Sequence, residues 1–219
     1  MAVIHHRDDA TSLTNAVVAA NAGCHGVFLI QMEGQDDLID SSAIQIKSMF
    51  PELLIGTNRL VTHPLEAIQR DISMHLDATW CDDPGIRSTG VNQLGERIAK
   101  SVAGVRAVRP NYLYFGSVAF KGQEIDHNPA RAAVLAAELG YVATTSGPRT
   151  GEPPAIEKLA AMKQALGAQP LAVASGVSPA NIGEIAPYVD WVLVSTGISR
   201  TFHDFDPLLL RDLVREAVK

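Results

Sequence analysis

The stretch LAVASGVSPANIGEIAPYVDWVLVSTGISR, residues 171–200, contains two short apolar runs that each stop at small residues. Leu171–Ala174 stops at Ser175-Gly176, and the run that begins at Trp191 stops at Ser195-Thr196-Gly197. The residues between the two runs carry apolar side chains at helical spacing. The stretch therefore predicts a strand, a helix and a second strand, which is the repeating unit of a parallel α/β fold.

The same unit recurs along the whole chain, with a short run rich in Val, Ile, Leu and Tyr roughly every 20 to 35 residues. Apolar residues at helical spacing fill most of the intervals. The pattern predicts eight strands: Ala2–His6, Gly26–Gln31, Leu53–Asn58, Ala78–Cys81, Tyr112–Val118, Tyr141–Thr145, Leu171–Ala174 and Trp191–Ser195.

Helix start and stop signals lie between these strands. Thr11 or Ser12 is placed to cap the first helix, which ends near Gly23. Further starts and stops are expected at Asn128-Pro129 and Gly140 for the fifth helix, at Gly167 for the end of the sixth, at Ser178-Pro179 for the start of the seventh and at Asp206 for the start of the eighth.

Eight such units in 219 residues predict an α/β fold, a single-domain (β/α)8 TIM barrel over residues 1–219. No linker or low-complexity tract divides the chain. A doubly wound open sheet is the alternative fold, but VIHHRDDATS after the first strand lacks the glycine-rich turn that binds a dinucleotide. In a barrel the active site lies at the carboxyl ends of the strands.

Composition limits the classes of function. A formal net charge of −6 argues against nucleic-acid binding, which needs Lys and Arg to neutralise phosphates. No apolar run approaches the length of a membrane span, and the start MAVIHHRDD lacks the features of a secretory signal, so we expect a cytoplasmic protein. Cys24 and Cys81 are expected to be reduced thiols. No metal or other cofactor is expected. The sequence leaves open whether the protein forms a homo-oligomer.

Small and hydroxylated residues follow the last three strands: Ser146, Gly147, Thr150 and Gly151, then Ser175 and Gly176, then Ser195, Thr196 and Gly197. Their amides and hydroxyls can converge on one phosphate, and a helix beginning at Ser178 would add the positive end of its dipole. Arg149 and Arg200 lie where a guanidinium can close on that phosphate. The alternative interpretation is that the glycines only close turns between strands and helices and that both arginines are surface residues.

Ionisable and polar side chains follow the first five strands. The candidates for chemistry are His5, Glu33, Asn58, Asp82 and Lys121, with a carboxylate or the imidazole as base and Lys121 as a Schiff-base candidate. Because neighbouring strand residues point to opposite sides, only one of His5 and His6 can face the barrel mouth.

Three of these candidates also have a purely structural explanation. His5 would then bond a backbone group, Asp82-Asp83-Pro84 would open a helix, and Lys121 would be a surface lysine. Cys81 is a weak candidate for a nucleophile because no base lies beside it in the sequence.

The last third of the chain resembles the phosphate-binding half of the ribulose-phosphate-binding barrel group, and the closer resemblance is to BtpA-like barrels. Val3-Ile4-His5, Thr150-Gly151, Ser175-Gly176-Val177 with Asn181, and the small turn after strand eight are similar to motifs of that family. The chain departs from the pattern after strand two, where Gln31-Met32 replaces Glu-Asn, and after strand three, where Val61–His63 replaces Arg-Asn-Asp.

The motifs and the resemblance together imply an enzyme acting on a small phosphorylated sugar or nucleotide-like substrate, of isomerase, lyase or glycosidase type. The alternative is a non-catalytic barrel that binds a phosphorylated ligand and acts as an assembly or regulatory factor, as the BtpA-like resemblance suggests. The two hypotheses differ in whether the acid-base candidates meet beside the phosphate site.

Overall fold

The computed structural model describes residues 1–217, which form eight parallel strands and eight α-helices in alternation. The strands are β1 Ala2–His5, β2 Gly26–Ile30, β3 Leu54–Asn58, β4 Ala78–Cys81, β5 Leu113–Ser117, β6 Val142–Ser146, β7 Leu171–Ala174 and β8 Trp191–Leu193. The helices are α1 Asp9–Asn21, α2 Ile39–Met49, α3 Pro64–Ser73, α4 Gln93–Val108, α5 Pro129–Glu138, α6 Ile156–Leu166, α7 Ile182–Ile185 and α8 Pro207–Ala217.

The strands pair in chain order from β1 to β8, and the sheet closes on itself. Closure is made by a parallel bridge between Ala2 and Val194, in which the Val3 amide donates to the Val194 carbonyl over 2.7 Å. A closed ring of eight parallel strands with helices outside is a (β/α)8 barrel. The predicted fold class is confirmed, and each predicted strand agrees with the observed one to within two residues at either end.

Alternation along each strand divides the core into two parts. Ala2 and Ile4 of β1 point outward and pack beneath the helices, whereas Val3 points into the barrel. The interior combines aliphatic side chains with aromatic rings in edge contact, with Phe28 and Phe115 at 5.2 Å and Phe28 and Trp80 at 5.7 Å between ring centroids. Within the described residues the barrel interior is therefore a packed core and not a pore.

Two predicted helix starts are corrected. The first helix is capped by Asp8, whose Oδ1 accepts from the Thr11 amide over 2.7 Å, and not by Thr11 or Ser12. The seventh helix begins at Ile182 rather than at Ser178. The Asn181 side chain bonds back to the Ser178 amide and the Gly176 carbonyl, which forms a turn where the helix was expected.

Other expected helix signals are observed. Asn128 accepts from the Arg131 amide at the start of α5, and Asp206 accepts from the Leu208 amide at the start of α8. Between β4 and α4 the chain adds a short antiparallel ribbon, Ile86–Arg87 paired with Gly90–Val91, that the sequence did not predict. This ribbon lies beside the barrel mouth.

Candidate functional site

A cavity of about 690 Å³ opens at the carboxyl ends of the strands. Its floor is the top layer of the barrel interior, formed by Val3, Ile30, Trp80, Ala174 and Leu193. Its walls come from the loops after the strands, which the parallel direction of the strands brings to one end of the molecule. The volume lies in the range of roughly 300 to 1,000 Å³ typical of small-molecule sites.

Four of the five candidates for chemistry line this cavity: His5, Asn58, Asp82 and Lys121. They come from β1, from the end of β3, and from the segments that follow β4 and β5. The structure therefore brings together side chains that lie up to 116 residues apart in the chain, the separation of His5 from Lys121.

Glu33 does not join them. The Gln31 side chain accepts from the amides of Glu33 and Gln35 over 2.7 and 3.0 Å, and this folds the segment after β2 into a turn that leaves Glu33 exposed. Met32 lines the cavity in its place.

Asn58 and Asp82 form a hydrogen-bonded pair in the cavity wall, with the amide nitrogen 2.9 Å from the carboxylate. Burial raises the pKa of Asp82, while the Asn58 hydrogen bond and the Lys121 charge oppose that rise. Asn58 is only 1% exposed, and its Oδ1 has no partner among the described residues. An unpaired buried carbonyl oxygen in a cavity wall is suited to accept from a ligand.

Lys121 lies in the segment after β5, and β5 is the direct neighbour of β4, which Asp82 follows. Its amine donates to the Thr150 hydroxyl over 3.1 Å. Burial lowers the pKa of Lys121, and the nearby Asp82 charge opposes that change. The shifts of Asp82 and Lys121 bring the two pKa values closer together, which favours proton exchange through a bound substrate.

His5 is buried beneath the segment after β8. Its Nδ1 lies 3.1 Å from the Phe202 carbonyl oxygen, and the rings of the two residues are 4.3 Å apart. His6 points to the other side of the strand, where its ring bonds to Ser12 over 2.9 Å. Burial lowers the pKa of His5 and keeps the ring neutral at pH 7, so it can act as an acceptor or a base.

The residues expected to hold a phosphate divide into two groups. Thr150, Ser175, Ser195 and Thr196 line the cavity, together with Arg149. Within residues 1–217, the Ser195 hydroxyl is buried without a partner, and the Thr196 amide donates to no protein acceptor. These groups are free to bind an anion.

The other predicted phosphate residues have structural contacts instead. A Cβ atom on Gly176 would lie 2.2 Å from the backbone of Glu152 and Pro153, and one on Gly197 would lie 2.0 Å from the Val177 carbonyl. Gly147 meets the Glu152 backbone in the same way, and Gly151 donates to the Ser175 hydroxyl. Gly151, Gly176 and Gly197 join neighbouring loops, Gly147 packs within its own loop, and none of the four is part of the cavity lining.

Ser146 and Arg200 also lie outside the cavity lining. The Ser146 hydroxyl accepts from the Lys121 amide and donates to the Gly147 carbonyl, so it fixes the segment after β5. The Arg200 amide pairs with the Asp204 carbonyl in an exposed turn. The expected seventh-helix dipole is not available either, because α7 begins beyond the turn and has four residues.

Sequence reasoning missed the aromatic and apolar part of the site. Phe202, Trp80, Phe120, Met32 and Leu60 all line the cavity. Trp80 is held by a hydrogen bond from its indole nitrogen to Ser117. Met32, Leu60 and Phe120 follow their strands by two or three residues, which was the available signal, but an apolar residue there is usually core.

Three further observations concern a metal site, the Cys81 thiol and a membrane span. No group of three or more His, Cys, Asp or Glu side chains within residues 1–217 is arranged to hold a metal ion. Burial raises the pKa of Cys81 to about 11, so the thiol stays protonated at neutral pH and is a poor nucleophile. In the described part of the chain, no helix is long and apolar enough to cross a membrane.

The fold and the cavity define a (β/α)8 barrel with a cavity at the carboxyl ends of its strands. Solved structures with a similar fold include native KDPGal (TM-score 0.72, 16% identity, covering 99% of this chain and 94% of that chain) and phosphoribosyl anthranilate isomerase from Thermus thermophilus (0.71, 13%, 99% and 96%). Thiamine phosphate pyrophosphorylase from Pyrococcus furiosus is also similar (0.63, 11%, 99% and 94%). No protein-family model and no curated protein matches the sequence. At these identities the likeness establishes the fold.

Proposed function

We propose that this protein is an enzyme acting on a small phosphorylated sugar or nucleotide-like substrate. The observation that carries the proposal is one cavity that contains both an acid-base group, Asp82 with Lys121 and His5, and unpaired anion-binding groups at Ser195 and Thr196. Neighbours with the same fold include enzymes whose names contain phosphorylated compounds, which agrees with a phosphate-binding site.

The phosphate would bind beside the segments after β6 to β8. Lys121 and Arg149 supply positive charge, and the Ser195 hydroxyl and the Thr196 amide supply hydrogen-bond donors. An acidic protein can bind an anion there because the local groups, not the net charge, set the field.

The reacting carbon would then lie towards β1, β3 and β4. Asp82 is suited to remove a proton, because a carboxyl with a raised pKa is a stronger base than an exposed one. Lys121 and the neutral His5 can return a proton or stabilise a developing oxyanion. Isomerisation, carbon–carbon cleavage and glycosidic cleavage all use an acid-base group of this kind. The proposal also includes membership of the BtpA-like family.

A non-catalytic ligand-binding barrel is the competing function. It would keep the anion-binding groups and leave the polar side chains of β1 to β5 apart from them. The shared cavity of His5, Asn58, Asp82 and Thr196 favours catalysis.

A thermal-shift screen with sugar phosphates, nucleoside monophosphates and their dephosphorylated counterparts tests the proposal. A ligand at about 100 times its Kd stabilises the folded state by about 2.7 kcal/mol. Lys121→Gln should reduce the shift, whereas Lys100→Gln, an exposed lysine on α4, should leave it unchanged. Compounds that bind are then incubated with the protein and followed by NMR for turnover. If no phosphorylated compound stabilises the protein more than its dephosphorylated counterpart, the proposal fails.

A further inference from the structure

The cavity has two chemically different sides. Thr150, Ser175, Ser195 and Thr196 line it on the side of β6 to β8. Ile30, Met32, Leu60 and Trp80 line it on the side of β2 to β4. Because the strands follow one another around the barrel, the segments after β2 and β3 lie across the mouth from those after β6 and β7. A ligand that spans the mouth therefore meets hydroxyl groups on one side. On the other side it meets these four apolar side chains, which form the apolar wall, with Asn58 and Asp82 beside them.

Two side chains of the apolar wall are exposed to solvent. Met32 is 46% exposed and Leu60 is 37% exposed, although both are large apolar side chains at the mouth of a cavity. The two residues follow neighbouring strands, so they present apolar surface at one edge of the mouth that a ligand can cover. Phe202 adds a further exposed ring at the β8 side of the same mouth.

Hydrogen bonds to two buried side chains, Asp36 and Gln31, fix the backbone that carries this wall. The Asp36 carboxylate accepts from the amides of Leu60, Val61 and Thr62 over 2.8 to 3.0 Å, which fixes the segment after β3. The Gln31 side chain fixes the turn that carries Met32 in the same way. The wall is therefore pre-formed, and a ligand would not have to order it.

Asn58, at the end of β3, constrains the part of the ligand that lies beside the apolar wall. An ionised Asp82 only accepts, so the Asn58 amide must turn its nitrogen to the carboxylate and keep its oxygen unpaired. That oxygen needs a donor from the ligand. A sugar hydroxyl supplies one.

We propose that the ligand carries a planar aromatic or heteroaromatic group on its sugar, as a nucleoside 5′-monophosphate does, and that Met32, Leu60 and Trp80 contact that group. This inference rests on the proposed function and specifies its substrate class. Aromatic and thioether side chains favour a flat ring as a partner over a hydrated sugar. A sugar phosphate alone would fill only part of a cavity of about 690 Å³.

Binding measurements with three matched probes test the inference: ribose 5-phosphate, AMP and adenosine. The structure predicts that AMP binds about tenfold or more tightly than ribose 5-phosphate, because the ring gains apolar contact. Met32→Ser and Leu60→Ser should remove most of that gain while leaving the affinity for ribose 5-phosphate unchanged. Val61→Ser is the matched control, since Val61 is the next residue, is 68% exposed and does not line the cavity.

The outcomes separate the two proposals. If ribose 5-phosphate and AMP bind equally, or if the gain survives both substitutions in the wall, the aromatic substrate class is wrong and the phosphate site stands. If adenosine binds as tightly as AMP while ribose 5-phosphate does not bind, the proposed function fails and the apolar wall remains a ring-binding surface. If none of the three probes binds, both proposals are overturned for this class of compound.

Discussion

The Nδ1 atom of His5 lies 3.1 Å from the backbone carbonyl oxygen of Phe202, in a segment 197 residues further along the chain. A carbonyl oxygen only accepts, so Nδ1 carries the proton and Nε2 keeps its lone pair in the neutral ring. The loop after β8 therefore selects the tautomer of a side chain on β1. A second contact, from the His203 ring to the His5 carbonyl over 3.0 Å, holds the same loop in place.

His5 should make folding stability depend on pH in the mildly acidic range. Burial lowers the pKa of His5 below 6.5, despite the hydrogen bond to Phe202, which raises it. The unfolded chain therefore takes up this proton first as the pH falls, so stability decreases as the pH falls through 6.5 and below. The free energy of unfolding should show a weaker pH dependence in His5→Gln than in the natural protein. An imidazole signal of His5 that titrates above 6.5 in NMR would contradict this explanation.

Asp82→Asn should reduce turnover of the substrate by about a hundredfold or more, because the amide cannot accept a proton from carbon or oxygen. Its stability should not fall, since burial already disfavours the charged form of Asp82 and raises its pKa. The measurements are kcat/KM and the midpoint of thermal unfolding.

Asp83→Asn is the matched control for that experiment. Asp83 is the next residue, is exposed, and pairs with Arg87 over 2.9 Å outside the cavity. Its loss should leave kcat/KM within about threefold, because exposed ion pairs contribute little. Equal effects of the two substitutions would remove Asp82 from the mechanism.

The fold was predictable because two strong local signals agree. Buried parallel strands such as Leu171–Ala174 are apolar on both faces, and the intervals between strands carry helical spacing. Helix N-caps were less predictable where several polar residues near a helix start could each accept from the first free amides. Asp8 displaced Thr11 and Ser12 because its extended backbone places the carboxylate on the Thr11 amide.

The sequence predicted those site residues whose positions follow from the order of the strands, and it did not predict those whose positions depend on loop contacts. Asn58 and Asp82 lie near each other because β3 and β4 are neighbours with Asn58 opposite Trp80, and the order of strands gives that proximity. Glu33 and Met32 depend on a turn made by the Gln31 side chain, which no local pattern reveals. Phe202 reaches His5 through a loop whose path depends on tertiary contacts.

Gly197→Ala should weaken binding of phosphorylated ligands by disturbing the contact between the loops after β7 and β8. A Cβ atom there would lie 2.0 Å from the Val177 carbonyl oxygen, and forced contacts of this kind cost about 1 to 3 kcal/mol. The midpoint of thermal unfolding and the ligand-induced shift should both fall.

Gly183→Ala provides the control, because a Cβ atom on this helical glycine meets nothing within 4 Å. It should leave binding unchanged and stability equal or slightly higher, since alanine is the better helix former. A Gly197→Ala protein that binds like the natural one would show that the close approach of the two loops does not shape the anion site.

Lys158 should produce a second pH dependence, at alkaline pH. Its amine donates to the carbonyls of Ala119 and Ser146 over 2.7 and 2.8 Å, and it thereby joins the segments after β5 and β6 that carry Lys121 and Thr150. Burial lowers the pKa of Lys158 from 10.5 to about 8. Between these two values the unfolded chain holds a proton that the folded chain has released, so the contribution of Lys158 to stability rises with pH across that window.

Lys158→Met removes this titration together with the two hydrogen bonds. We therefore expect the variant to be less stable at every pH, and its deficit in unfolding free energy to grow as the pH rises from about 8 to 10.5. Other groups that titrate in this range occur in both proteins and cancel in the difference. Parallel stability curves for the two proteins, recorded by denaturant unfolding across the window, would mean that Lys158 keeps its ordinary pKa and is hydrated in the folded state.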